Sequence, residues 1–288
     1  MSRPELRWGE RTWLMGIINV TPDSFSGDGL AAPGHDLGSI VTAALAQGRA
    51  FVDAGAQILD VGAESTRPAS VYGEHETVTA EEEAALAVPV VAELVAELGD
   101  RAHVSIDTSK GTVARAALAA GATIVNDVWA ARRDTDTAVA AAEAGAHLVL
   151  MHNKELAEYP GGLLEEIVGW LLASVDLAVA AGVPRNRLLV DPGIGFGKTP
   201  AHSVEVLHRL SELKARVGLP LLVGTSRKRF IGELLGGAAP DDRVEGTAAT
   251  VALAIASGAD VVRVHDVAHM ARTLRVADAI VRTAPRFG

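Results

Sequence analysis

The 288-residue chain contains no cysteine, and this absence excludes disulfides, zinc–thiolate sites and thiol nucleophiles together. Its first residues lack the apolar stretch of a signal peptide, and no uninterrupted apolar run elsewhere is long enough to span a bilayer. A cysteine-free chain without such segments fits a reducing compartment. We therefore expect a soluble, cytoplasmic protein.

Positive charge is also scarce. Lys and Arg together number 26 against 36 Asp and Glu, which gives a formal net charge of −10 at pH 7. The overall field of such a protein repels polyanions, so nucleic acids and acidic membrane surfaces are not expected partners. Any anion that the protein binds must instead be held by a local cluster of cations.

The sequence contains eight short apolar runs, and each of them ends in a polar or glycine-rich cluster. Continuous β-branched runs are typical of strands buried on both faces, and the stretches between them have the apolar spacing of helices. The runs occupy residues 13–18, 57–61, 102–106, 122–125, 147–151, 187–190, 220–223 and 259–262. Eight βα units predict a (β/α)8 TIM barrel with its active site on the loops that follow the strands.

We expect a single domain over residues 1–288, because this length and an apolar content of 49% suit one barrel of ordinary size. Residues 6–14 predict a short N-terminal β-hairpin that covers the barrel floor and runs into the first strand. Residues 26–36 and 66–78 are long connections, which predict mobile loops over the barrel mouth. Helices are predicted at residues 37–54, 79–98, 111–120, 135–144, 163–181, 201–217, 243–257 and 267–282.

Three polar side chains come directly after predicted strands: Asp107, Asn126 and Asp191. A single residue of this kind is more often the N-cap of the next helix than part of a binding site. Three of them, after strands three, four and six, favour a pocket in the barrel mouth. Carboxylate and amide acceptors in such a pocket suit a flat heterocycle with several N–H donors and a carbonyl on one edge.

Cationic side chains follow strands two, seven and eight. They are Arg67, Arg227, Lys228, Arg263 and His265. The loops after strands seven and eight are the usual phosphate site of this fold, so these residues predict an anion site. For any one arginine the alternative is a solvated surface charge, and for Arg263 it is an ion pair with Asp266.

The glycine-rich segment 193–199 has neither P-loop nor dinucleotide-binding spacing. We interpret it as a tight turn that lets the backbone approach a ligand and presents Phe196 as an apolar wall. The nine histidines include no helical H-x-x-x-H pair with an acidic partner, so a transition metal caged by protein side chains is not expected. His152, after the fifth strand, is compatible with either a structural or a site role.

Seven motifs, taken in order from the first predicted strand to the last, resemble those of the dihydropteroate synthase family. They are residues 15–26, 64–68, 106–108, 126–127, 191–198, 226–228 and 263–266. That family condenses a dihydropterin methyl diphosphate with 4-aminobenzoate and releases pyrophosphate. The resemblance therefore implies a transferase of folate biosynthesis that uses Mg²⁺, forms a homodimer and is a target of sulfonamides, which mimic the aminobenzoate.

The resemblance also implies a role for individual residues. The pterin ring is expected to be held by Asp107, Asn126, Asp191 and Lys228. The diphosphate is expected to be held by Asn19, Thr66, Arg263 and His265, with Asn19 next to the metal. The aminobenzoate pocket is expected to be formed by Arg67, Pro68, Phe196 and Ser226. Asp23 is expected to stabilise positive charge on the pterin methylene, in a catalytic set with Lys228, Arg263 and His265.

The departures from the family pattern concern the loops. Residues 26–29 read Ser-Gly-Asp-Gly where Ser-Asp-Gly-Gly is commoner, alanines stand at positions 63 and 69 where glycine is frequent, and Asn153 interrupts a Met-His-Met-x-Gly pattern. Two alternatives are a pterin-dependent methyltransferase with a similar barrel, which would need neither loop 19–26 nor residues 226–228, and a homologue that binds pterin without turnover.

Overall fold

The computed structural model describes residue 3 and residues 5–21, 29–30, 36–64 and 78–282. Eight parallel strands form a barrel, and the larger hydrophobic core lies between these strands and the helices. The strands are β1 (Trp13–Asn19), β2 (Ile58–Gly62), β3 (His103–Asp107), β4 (Ile124–Asp127), β5 (His147–Met151), β6 (Leu188–Asp191), β7 (Leu222–Val223) and β8 (Val261–Val264). Hydrogen-bonded neighbours run from β6 down to β1 and on through β8 to β7, and a bridge between Val190 and Leu221 closes the ring. The predicted (β/α)8 barrel is confirmed.

Ten α-helices lie within the described residues. They are α1 (Leu37–Ala54), α2 (Ala80–Leu98), α3 (Gly111–Ala119), α4 (Asp136–Ala144), α5 (Leu163–Ala180), α6 (Pro200–His208), α7 (Leu210–Val217), α8 (Arg229–Leu234), α9 (Val244–Ala256) and α10 (Val267–Val281). The helix predicted at 201–217 is interrupted at Arg209, where ψ is 20°. The six residues of α8 are too few to show a helical period, so the sequence did not predict it. None of the described helices is long and apolar enough to cross a membrane.

Six strands, β1 to β4, β6 and β8, end one or two residues later than predicted, so that Asp107, Asn126 and Asp191 lie inside strands and not after them. Asp107 pairs in register with Asn126 of β4, and Asp191 pairs with Met151 of β5. The parallel ladder continues because each of these residues still has a strand beside it. The pleat of a strand sets the direction of each side chain inside it, so the strands themselves orient these three residues.

The even-numbered strands carry an apolar interior layer followed by a polar one. The apolar layer contains Ile58, Ile124, Leu189 and Val261, which belong to one buried cluster inside the barrel. Residues two positions apart on a strand share a face, and TIM-barrel layers take their side chains from alternate strands. The next layer towards the mouth is therefore made by the side chains of Asp60, Asn126, Asp191 and Arg263, which we call the polar layer.

The N-terminal segment covers the opposite end of the barrel, as predicted, but its first arm is not a strand. Residues 6–8 are irregular, and the Trp8 ring packs edge-on against Trp13 at 6.3 Å and against His147 at 5.7 Å. The second arm of the predicted hairpin is β1 itself. Since β1 already pairs with β2 and β8, it has no free edge for an antiparallel partner.

Candidate active site

The centre of the polar layer is an arginine held between two carboxylates. Arg263 Nε donates to Asp60 Oδ2 at 2.6 Å, and Arg263 Nη2 donates to Asp107 Oδ2 at 2.7 Å. Asp60 is fully buried and Asp107 nearly so. The alternative partner Asp266 instead forms a two-bond ion pair with Arg227. Arg263 therefore lies in the interior of the barrel mouth, and its charge is balanced by the strands beside it.

Asn126 and Asp191 complete the polar layer. Asn126 Nδ2 donates to Asp60 Oδ2 at 3.0 Å, so one carboxylate oxygen receives both the amide and the guanidinium. Asp191 Oδ1 accepts from the backbone N–H of Gly193 at 2.7 Å. Three carboxylates, an amide and one arginine thus meet at the mouth, which brings together the three residues predicted to accept hydrogen bonds from a ring.

Two of these carboxyl groups are costly to ionise. Burial raises the pKa of Asp107 to about 7, with Arg263 acting against the rise and Asp60 adding to it. Burial likewise raises the pKa of Asp191 to about 6, although the Gly193 hydrogen bond and the Lys228 charge oppose this. Carboxylates of this kind are stabilised by a ligand that brings N–H donors to them.

The glycine-rich turn after β6 adopts the tight conformation that the sequence predicts. Gly193, Gly195 and Gly197 all have positive φ angles, between 54° and 78°. A Cβ at Gly193 would lie 1.9 Å from the carbonyl oxygen of His152. At Gly193 the close approach is thus to the protein's own loop after β5, and the approach of a ligand to this turn stays a prediction.

This turn supports a platform formed by Phe196 and Lys228. The Lys228 stem passes over Gly195, where a Cβ would lie 3.3 Å from its Cδ, and its ammonium sits 4.0 Å above the centre of the Phe196 ring. Such a cation–ring contact favours the charged lysine. The predicted ring-binding lysine and the predicted apolar wall are therefore in direct contact.

Behind the platform is a buried lysine that the sequence analysis did not assign. Lys198 is 6% exposed, and its ammonium contacts Nδ1 of His152 at 2.8 Å and donates to the Phe196 carbonyl at 3.1 Å. Burial lowers the pKa of Lys198 to about 7, and burial together with Lys198 lowers the pKa of His152 to about 2. His152 is therefore a neutral acceptor that anchors the turn, which favours its structural role.

The loops after β7 and β8 are joined by Ser226 and His265. The Ser226 hydroxyl accepts from the backbone N–H of His265 at 3.1 Å and lies 3.0 Å from Nδ1 of its ring. Arg227, the residue after Ser226, has a positive φ of 58°, and its carbonyl oxygen accepts from Arg243 Nη1 at 2.8 Å. The contacts of Arg227 with Asp266 and Arg243 hold this strained residue in place and fix the neighbouring side chains.

Four predicted site residues lie outside the described residues, namely Asp23, Thr66, Arg67 and Pro68, and so does the departure at Ala69. Asn19 is half-buried at the carboxyl end of β1, beside Gly62 of β2. No group of three acidic or histidine side chains that could hold a metal ion occurs in the part of the chain that is described. Asn153 is fully buried, and neither of its amide atoms has a hydrogen-bond partner among the described residues.

Comparison with known proteins agrees with this geometry. A family model described as "Pterin binding enzyme" matches residues 15–265. The dihydropteroate synthase of Bacillus subtilis is 43% identical over 276 residues, covering 96% of this chain and 91% of that protein. The chain belongs to the pterin-binding enzyme family and, within it, to the dihydropteroate synthases.

Solved structures of this family superpose closely on the chain. The dihydropteroate synthase of Clostridium difficile, solved in the presence of pteroic acid, has a TM-score of 0.87 and 42% identity, covering 96% of this chain and 100% of that one. The Yersinia pestis enzyme, solved as a sulfonamide drug complex, has a TM-score of 0.86 and 36% identity, with 99% of both chains covered. The (β/α)8 barrel is thus the fold of this family.

Sequence reasoning missed two parts of this dihydropteroate synthase site, Asp60 and the pair formed by Lys198 and His152. A signal existed for Asp60, since it is the one charged residue in the apolar run 57–61. A carboxylate in a strand buried on both faces requires a partner inside the barrel. The contact of Lys198 with His152 joins residues 46 positions apart and has no local sequence signal.

Replacing Lys198 with Met tests whether this lysine loses its charge when buried. Its pKa is about 7 in the folded chain against an ordinary value of 10.5, so the unfolded chain binds more protons between these values and stability rises with pH there. Below pH 7 the folded chain carries Lys198 as a cation, so the full free-energy cost of burying its charge is present there. Lys198→Met should therefore stabilise the chain by about 3 kcal/mol more at pH 6 than at pH 9.

Urea unfolding of both chains at each pH measures this difference, and general effects of pH cancel in the comparison. An equal effect of the substitution at both pH values would mean that Lys198 keeps its proton in the folded chain.

Proposed function

We propose that this chain joins (7,8-dihydropterin-6-yl)methyl diphosphate to 4-aminobenzoate, which yields 7,8-dihydropteroate and pyrophosphate in folate biosynthesis. The observation that carries the proposal is the polar layer with Asp107 of β3 beside it, because Asp107, Asn126 and Asp191 offer acceptors at the barrel mouth. Membership of the dihydropteroate synthases supports the same transferase reaction. The pteroic acid in the Clostridium difficile structure supports the same class of ligand.

The pterin ring would lie across the polar layer. Its N–H groups would donate to Asp191 and Asp107, whose carboxylates are stabilised by such donors. The Asn126 carbonyl oxygen would accept a further hydrogen bond, because its amide nitrogen already donates to Asp60. Lys228, held above Phe196, would donate to acceptor atoms on the ring edge.

The diphosphate would lie towards Asn19, Arg263 and His265. The Nη1 group of the Arg263 guanidinium remains available to donate to a phosphate. Within residues 36–64 and 78–282, only Nε and Nη2 of this side chain have hydrogen-bond partners. Magnesium needs few protein ligands, because it keeps several waters and binds substrate phosphates, and the Asn19 amide offers one oxygen of the hard type that this ion prefers. Mg²⁺ held by Asn19 and the diphosphate would neutralise charge on the departing pyrophosphate.

The reaction is a displacement at the pterin methylene. The methylene carbon–oxygen bond breaks, and its electron pair leaves with pyrophosphate. The aminobenzoate nitrogen bonds to that carbon and loses one proton to solvent. Arg263 and His265 would stabilise the leaving anion, while Phe196 and Ser226 would position the aromatic amine. Roles for Asp23, Thr66, Arg67 and Pro68 stay predictions, as does a cytoplasmic location.

Turnover of the purified chain tests the proposed reaction. We expect pyrophosphate release that requires the pterin diphosphate, 4-aminobenzoate and Mg²⁺ together, and chelation of the metal should abolish it. His265→Ala should lower kcat by about 10²-fold, because it removes one donor to the developing anion. No pyrophosphate release with both substrates and Mg²⁺ present would contradict the proposal, since a pterin-binding homologue without turnover gives that result.

Ring binding should weaken in acid. Asp191 has a pKa of about 6 and Asp107 of about 7, and a ring N–H binds the ionised carboxylates, so binding at low pH must first remove protons. We expect the dissociation constant for pterin alone to rise at least about tenfold between pH 7.5 and 5. Calorimetry measures it. Asp191→Asn should bind weakly with a flatter pH dependence, and equal affinity of the native chain at both pH values would contradict the assignment.

The homodimer implied by the resemblance is also a proposal, and α9 and α10 support it. These helices pack side by side, and Leu253, Val276 and Ile280 on them are 65%, 63% and 77% exposed. Apolar surface of this kind is typical of subunit interfaces. Light scattering should give twice the chain mass of 29.8 kDa. Ile280→Glu should give monomers, whereas Leu177→Glu on α5 should not; a monomeric native chain would contradict the proposal.

We also propose that this chain binds sulfonamides, as the family resemblance implies. The sulfonamide complex of the Yersinia pestis enzyme supports it, because the two chains align over 99% of their lengths. In this chain the drug would occupy the aminobenzoate position beside Phe196 and Ser226.

A further inference from the structure

We propose that Asp60 is a positioning residue that decides which hydrogen-bonding atom of Asn126 faces the pterin ring. The inference rests on the proposed function, because it concerns the ring-binding site. Asp60 lies in the middle of β2 and is fully buried, and its side chain belongs to the polar layer beneath the barrel mouth. It would touch the ligand only through Asn126 and Arg263.

Asn126 and Arg263 share one acceptor. Asp60 Oδ2 receives Nδ2 of Asn126 at 3.0 Å and Nε of Arg263 at 2.6 Å. An ionised carboxylate only accepts hydrogen bonds. An Asn126 amide rotated by 180° would place its oxygen against that carboxylate in a buried setting, which costs the hydrogen bond and adds repulsion. Asp60 therefore keeps the amide nitrogen of Asn126 turned towards β2 and away from the barrel mouth.

One polar atom of Asn126 remains for a ligand. With its nitrogen committed to Asp60, Asn126 presents its carbonyl oxygen as the other polar atom of the amide. The site then requires a hydrogen-bond donor from the ring at this position. A ring with a carbonyl there would bring two acceptors together, and sites built around buried hydrogen bonds reject such analogues strongly.

The ion pair makes the orientation rigid. Arg263 is held by Asp60 on one edge and by Asp107 of β3 on the other, so the Asp60 carboxylate cannot turn without breaking a buried charged contact. Among the described residues, Asp60 Oδ1 has no hydrogen-bond partner. Both contacts thus depend on one oxygen, and a residue that supplies one well-placed oxygen can replace Asp60.

This dependence on one oxygen defines the test. Asp60→Asn can place its amide oxygen where Oδ2 stands and keep both contacts, whereas Asp60→Ala removes both and frees Asn126 to turn. Ser105→Ala is the matched control, because Ser105 pairs in register with Asp60, is fully buried and has no hydroxyl partner among the described residues. The proposal places the ring's 2-position at Asn126, so the probes are pterin, with a 2-amino donor, and lumazine, with a 2-oxo acceptor.

Calorimetry of both probes measures the ratio of their dissociation constants. We expect the native chain and Ser105→Ala to favour pterin by at least about 100-fold. Asp60→Asn should stay within about threefold of that ratio, and Asp60→Ala should lower it at least about tenfold, mainly through weaker pterin binding. A general loss of stability would weaken both ligands and leave the ratio unchanged.

Two results would overturn the inference. One is a native ratio in folded Asp60→Ala, as judged by circular dichroism and thermal unfolding. The other is a collapsed ratio in Asp60→Asn, which would show that the Asp60 charge and not its orientation of Asn126 is decisive; this arm holds even if Asp60→Ala does not fold. Failure of the native chain to bind pterin at all would instead contradict the proposed function.

Discussion

The buried ion pair between Arg263 and its two carboxylates, Asp60 and Asp107, is the interaction on which the site depends. A guanidinium inside a barrel is tolerated only when nearby carboxylates balance it, and removing one partner of such a pair typically costs about 3–5 kcal/mol. Strands β2, β3 and β8 are therefore tied together at the mouth. Because Asn126 shares Asp60 with the arginine, the same ion pair also orders the amide on β4.

The rest of the barrel supports this arrangement. The apolar layer of Ile58, Ile124, Leu189 and Val261 fills the barrel beneath the polar layer. The polar side chains therefore lie on the mouth side of this apolar layer. Beside it, the turn after β6 packs on the loop after β5, with Lys198 and His152 as the buried contact between them. That contact holds Phe196, and Phe196 in turn lies under Lys228. Acceptors and cations are thus placed before any ligand arrives, which lowers the ordering cost of binding.

The amino-acid sequence predicts the fold well, because strand and helix periods are local signals. It also places Asp107, Asn126 and Asp191 in one pocket, because the barrel brings its strand ends together. It cannot show that Asp60 and Arg263, 203 positions apart, share an ion pair, since side-chain direction depends on where each strand ends. Six strand ends were predicted one or two residues too early, and the N-terminal segment lacks its first strand because β1 has no free edge.

The most direct measurement of this account is a crystal structure of the chain with a bound pterin. We expect that the ring lies on the polar layer, that Asp191 and the Asn126 carbonyl oxygen accept from ring N–H groups, and that Asp60 keeps its contacts with Asn126 and Arg263. A ring bound elsewhere would contradict it. An Asn126 amide nitrogen that points towards the ring, with its contact to Asp60 broken, would also contradict it.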